Sequence, residues 1–236
     1  MYINHRTYIK PDMKMSDLIN ENYTFLLLLE HLGIDFLVKD KTVHQICREN
    51  NIDLSVFLIF GNLYNGFYPS NEEICALKDI SVIIRFLENS HSYYKNDKYP
   101  EIKGHIKSLQ EKQNSEDIKL IEKFFTDYFE EVLEHLDYED KIAFPYFYQL
   151  IDPESKPEDS PFSVNEYREH HTDIETKLAD LKNLLLKHIN LKNDLAMRRK
   201  VLFGLFELEY DLNIHSQIEE IILLPLVDRL EREQAK

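Results

Sequence analysis

Two segments of the chain pair a histidine with a glutamate four residues further on: His135-Leu-Asp-Tyr-Glu139 and His215-Ser-Gln-Ile-Glu219. Four residues is a little more than one helical turn, so each pair points to one side of a helix. Both segments continue through a further acidic residue and an apolar stretch to a proline, Pro145 and Pro225. They are 80 residues apart, and the same offset carries His91 onto His171. Each half of this repeat therefore holds a lone histidine followed, 44 residues later, by a His-x-x-x-Glu pair. With 10 histidines in 236 residues, chance does not place two His and one Glu at a single offset. Imidazole suits Fe, Zn, Cu and Ni, and carboxylates can bridge a pair of ions. The six residues fit two ions that share two glutamates and take two histidines each. Positions remain open for O2, NO, water or an oxo bridge. A single tetrahedral zinc would leave ligands unused.

Taken singly, each histidine reads as an ordinary hydrogen-bonded core residue. Together, four imidazoles and two carboxylates in an apolar interior would cost several kcal/mol each in rough terms, unless cations were present. The elements that position them are amphipathic helices, because apolar residues recur at steps of three and four. One stripe is Leu77, Ile80, Ile84, Leu87 and His91, and a second is Ile118, Ile121, Phe125, Tyr128, Val132, His135, Glu139 and Ile142. The third is Val164, Tyr167, His171, Ile174, Leu178 and Leu181, and the fourth is Val201, Leu205, Leu208, Leu212, His215, Glu219 and Ile222. His170 shares its face with Glu166, Asp173 and Lys177, so it reads as a solvated neighbour of His171.

Long helical patterns lie at about 72–95, 115–144, 163–190 and 193–232, with an extra piece near 100–112. Ser115 and Ser163 mark helix starts, the latter with Glu166 in a capping box. Before them, Met15 to Leu32, Thr42 to Asn50 and Leu54 to Tyr64 read as shorter helices broken at Gly33 and Gly66. Only five glycines and much Leu, Ile, Glu and Lys favour helix throughout. The expected fold is all-α, with a small helical domain over 1–70 and a four-helix bundle over 71–236. Formal charge of -15, from 43 acidic and 28 basic residues, argues against nucleic acid or an anionic membrane as partner. Two cysteines, no secretory signal and no long apolar run point to a cytoplasmic protein.

On these motifs the chain resembles the hemerythrin-like di-iron proteins of iron-sulfur cluster repair, over nearly its whole length. The resemblance implies an antiparallel four-helix bundle and a metal site of His91, His135, Glu139, His171, His215 and Glu219. It also implies two iron ions in an oxo- or hydroxo-bridged non-haem centre, with manganese or zinc able to substitute. His105 falls near where many relatives have an extra histidine; it reads either as a further ligand or supporting group, or as a helix residue beside Ile102 and Ile106. Leu32-Gly-Ile-Asp-Phe36 and the segment from Thr42 to Asp53 resemble the family's small N-terminal domain. Relatives usually place adjacent cysteines after the Gly-Ile-Asp-Phe run, whereas Leu37-Val38-Lys39-Asp40 stands here. Thiol chemistry is thereby excluded at that point, and Cys47 reads as a buried apolar residue.

The function implied is repair of iron-sulfur centres damaged by nitrosative or oxidative stress, through NO handling, NO reduction or iron donation. Its partners would be NO, O2 and damaged iron-sulfur proteins, with a homodimer as a further expectation. The alternative is a non-catalytic carrier or sensor of O2 or NO. A metal-stabilised interaction module is the third reading.

Overall fold

The computed structural model describes residues 7–113, 115–152, 163–170, 175–188 and 194–234. These residues are overwhelmingly helical. Among them there is no β-strand, only an isolated antiparallel bridge between Lys14 and Thr42. The protein is all-α. No described helix is long and apolar enough to cross a membrane.

The first helices are α1 (Met15–Glu21), α2 (Phe25–His31), α3 (Val43–Glu49), α4 (Leu54–Tyr64) and α5 (Asn71–Ala76). The expected single helix from Met15 to Leu32 is two, because Asn22 turns back on its own backbone. Its Oδ1 accepts from the Thr24 N–H at 3.1 Å and from the Thr24 hydroxyl at 2.7 Å, and its Nδ2 donates to Asn65 Oδ1 at 2.9 Å. Thr42 and Gln45 form a capping box at α3, and Asp53 caps α4. Gly33 and Gly66 end their segments in the left-handed region, at φ 69° and 78°, where a side chain is disfavoured.

The longer segments depart from the expected pattern in one repeated way. α6 (Ile80–Tyr93) passes through a π-helical turn π1 (Tyr94–Lys98) into α7 (Tyr99–Gln113). α8 (Glu116–Tyr138) passes through π2 (Glu139–Ala143) into α9 (Phe144–Ile151). After α10 (Val164–His170) and α11 (Glu175–Lys187), α12 (Leu195–Gln217) passes through π3 (Ile218–Leu223) into α13 (Leu224–Gln234). Each π turn ends two residues before a proline: Pro100, Pro145 or Pro225. Proline has no N–H, and its ring clashes with the carbonyl four residues back, so an uninterrupted α-helix is penalised there. The wider turn accommodates it, and the residue before each proline donates five residues back: Tyr99 to Tyr94, Phe144 to Glu139 and Leu224 to Glu219. The helix expected to stop at 144 therefore runs to Ile151, and the separate piece near 100–112 is continuous with α6. At π2 the core register also shifts, whereas Ile222, at the matching place in π3, stays buried as expected. Ile142, expected on the buried stripe, is 45% exposed, and Ala143 is buried instead.

By contacts the chain divides into two compact units. One comprises Met1–Ser90, Phe147–Glu158 and Ile214–Lys236. In it, Phe60 and Phe86 meet edge-on with ring centroids 4.8 Å apart, and Asn89 donates to the His31 carbonyl at 2.8 Å. Cys47 is buried here, and burial, followed by the Asp53 charge, pushes its thiol up to about 12. It is an apolar core residue, as the sequence suggests, rather than a reactive thiol. The other unit comprises His91–Tyr146 and Asp159–Asn213. Its α7 and α8 pack together, with Tyr99 stacked on Phe129 at 3.6 Å between centroids and Ile102, Ile106, Leu109, Phe125 and Val132 buried.

Candidate metal centre

His91 lies in the last turn of α6, whose start is fixed by Asp79 accepting from the Val82 N–H at 3.3 Å. His135 lies in the last turn of α8, and Glu139 opens π2 immediately after it. His215 and Glu219 repeat that arrangement at the end of α12 and in π3. In both segments the ligand glutamate supplies the carbonyl that closes the π turn, so the proline beyond it governs where the carboxylate sits.

His91, Glu139, His215 and Glu219 form one buried group, each offering a ligand atom and all four atoms within 4.8 Å of one another. Such a group could bind a metal ion. His91 Nε2 is 3.3 Å from Glu139 Oε2, His135 Nε2 is 3.2 Å from Glu139 Oε1, and His215 Nε2 is 3.2 Å from Glu219 Oε1. Ligands at right angles about an ion at ~2.1 Å are about 3 Å apart, and opposed ones about 4.2 Å. The spacing suits donors sharing a cation and is also that of His–Glu ion pairs. The state of Glu139 supports the same fit: the residue is fully buried, and its Oε2 accepts no hydrogen bond. In the metal-free protein the protonated His91, 3.3 Å away, supplies the positive charge beside that oxygen, and a metal ion would take over that role. Nitrogen and oxygen donors with no thiolate suit iron, manganese or zinc.

The surroundings of His91 are strongly polar. Its Nδ1 is 2.6 Å from Asp140 Oδ1, and Lys95 donates to Asp140 Oδ2 at 2.7 Å and to Asp137 Oδ1 at 2.9 Å. Burial alone would lower the His91 pKa, but Asp140 and then Glu139 outweigh it and raise it to about 9 in the metal-free protein. Burial likewise pushes Glu139 up, and His135 and His91 outweigh it to hold the carboxyl well below its usual range. With Asp140 on Nδ1, the His91 ring is oriented with Nε2 toward Glu139, the carboxylate–histidine arrangement that fixes metal-binding imidazoles. His215 Nδ1 is 2.8 Å from the buried Ser90 hydroxyl, which also donates to the Leu87 carbonyl at 2.7 Å. Tyr167 donates to Glu139 Oε1 at 2.5 Å, and Tyr94 donates to the buried Asp211 at 2.9 Å, one turn before His215.

Four of the six residues expected as ligands thus lie in one buried group, and His135 contacts Glu139 without belonging to the group. His171 and Ile174 lie outside the described residues, as does the side chain of His170. His105 is in α7 between buried Ile102 and Ile106; its Nδ1 is buried without a hydrogen-bond partner, and it is not in the group. Sequence reasoning did not assign roles to Asp140, Ser90 and Tyr167. Asp140 had a signal, the acidic residue that follows each ligand glutamate. Ser90 and Tyr167 had none, since both occupy positions that an apolar stripe also explains. A scan of protein-family models finds no match to this chain, and a search of the curated proteins finds none.

Proposed function

We propose that the buried group is half of a non-haem di-iron centre, completed by His135 and, through the 80-residue repeat, by His171. On this reading the helices form a hemerythrin-like bundle. The chain would be a cytoplasmic protein that repairs iron-sulfur centres damaged by nitrosative or oxidative stress, handling NO or donating iron. The observation that carries the metal reading is the convergence of His91, Glu139, His215 and Glu219 in a buried site with donor spacings of a coordination sphere. The repair function rests on the resemblance of the doubled His-x-x-x-Glu motif to that family.

When bound, a ferrous pair supplies electrons and open coordination positions to a diatomic ligand. The chain's own contribution is to hold the imidazoles and two carboxylates together in a buried site and to orient them with polar partners. Asp140 orients His91, Ser90 orients His215, and Tyr167 holds one oxygen of Glu139. The test is anaerobic reconstitution with ferrous iron, followed by optical spectra on adding NO and by incubation with an NO-damaged iron-sulfur protein. Consumption of NO or recovery of the client's cluster supports repair. A stable adduct that reverses when NO is removed would instead make the protein a carrier or sensor, and iron-loaded protein inert to NO and O2 would overturn both.

A further inference from the structure

The 80-residue repeat is broken at a position that touches Glu139. Tyr167 donates a 2.5 Å hydrogen bond to Glu139 Oε1, and both residues are buried, at 1% and 0% exposure. The repeat places Leu87 at the corresponding position in the other half, also fully buried, where no donor exists. Glu139 Oε1 is thus engaged by a phenol and lies 3.2 Å from His135 Nε2, whereas Oε2 faces His91 and accepts no hydrogen bond.

The geometry points to Tyr167 as a positioning residue that makes two metal sites unequal. This inference rests on the metal-binding reading above. The phenol reserves Oε1, so Glu139 meets a first ion through Oε2, together with His91, His215 and Glu219. A second ion beside His135 needs Oε1 and binds only by displacing the phenol's hydrogen bond. Hydrogen bonds to a charged acceptor are among the stronger ones, so that displacement sets the second ion's affinity well below the first.

The experiment is an anaerobic titration of the full chain with Fe(II), and separately with Co(II), read by calorimetry and by cobalt absorption, for the wild type and Tyr167→Phe. The wild type is expected to bind two ions in separate steps. Tyr167→Phe should strengthen the second step by roughly tenfold to a hundredfold and leave the first nearly unchanged. A merely structural role would lower the melting temperature of the metal-free variant and weaken both steps together, so an unchanged ratio of the two steps overturns the inference. A single ion bound by both proteins overturns it as well. A wild type that binds no ion sinks the metal reading itself, whereas two ions with an unchanged ratio sink only the role of Tyr167.

Discussion

Around His91 and Glu139 the supporting groups are charged or strongly polar: Asp140 on the imidazole, Lys95 behind Asp140, and the Tyr167 phenol on the carboxylate. At His215, the other imidazole of the buried group, the support is a serine hydroxyl, Ser90. Both segments carry the same His-x-x-x-Glu pair, the same π turn and the same proline. The repeat keeps the His-x-x-x-Glu pairs and the π turn behind them, whereas His91 and His215, which the 80-residue offset does not relate, lean on different partners. A metal ion would demand the ligand type and helix geometry, whereas the partner of a ligand needs only to fix a ring or take a lone pair.

The largest effect should come from the ligands. His215→Leu removes a member of the four-residue group and is expected to abolish tight metal binding, whereas His135→Leu should keep one ion. Metal analysis after anaerobic loading with Fe(II) checks this, and equal metal content in the two variants would remove the distinction drawn between them. Asp140→Asn comes next, with metal affinity reduced by roughly 10–100-fold, as is usual when a carboxylate behind a metal-binding histidine is lost. The same variant has a pH signature in the metal-free protein. His91 is raised from 6.5 to about 9. Its proton therefore contributes stability in full below about pH 6.5, and that contribution is lost as pH rises through about 9. Thermal melts of metal-free wild type should show this loss, and Asp140→Asn should flatten it.

Pro145→Ala tests the backbone device. Restoring an N–H at 145 removes the reason for π2, so the segment can return to α-helical register and carry Glu139 off the site. Helicity by circular dichroism should be unchanged or higher while metal affinity falls by about tenfold, an estimate in the range for losing precise ligand placement. Unchanged affinity would show that the π turn is held by something other than proline. Ser90→Ala should have the smallest effect, a few-fold loss of affinity, because a neutral hydrogen bond contributes about 1 kcal/mol. If Ser90→Ala proves as damaging as Asp140→Asn, His215 and His91 are supported equally and the contrast between them fails.

Much of this was legible in the sequence. The three-four periodicity placed Ile84, Leu87, Phe125, Val132, Leu205 and Leu212 in the core, and all are buried. The doubled motif marked His91, Glu139, His215 and Glu219, which the structure brings together. Ile142 was placed wrongly where π2 changes the helical pitch, although Ile222 in the matching π3 is buried as the periodicity predicts. Its signal was present in Pro145, just beyond the expected helix end at 144, where the chain instead widens the turn ahead of it. The break at Asn22 was hidden because a polar residue within an apolar run reads as a solvated helix position. Tyr167 was legible as a core residue but not as a donor, since its hydroxyl partner comes from a helix distant in sequence.

The most direct test of the central claim is metal content. The full chain, purified without metal, reconstituted anaerobically with Fe(II) and passed over a desalting column, should retain about two irons per chain and melt at a higher temperature than the metal-free protein. Protein that retains no iron, manganese or zinc, with a melting temperature that none of them changes, would contradict the account.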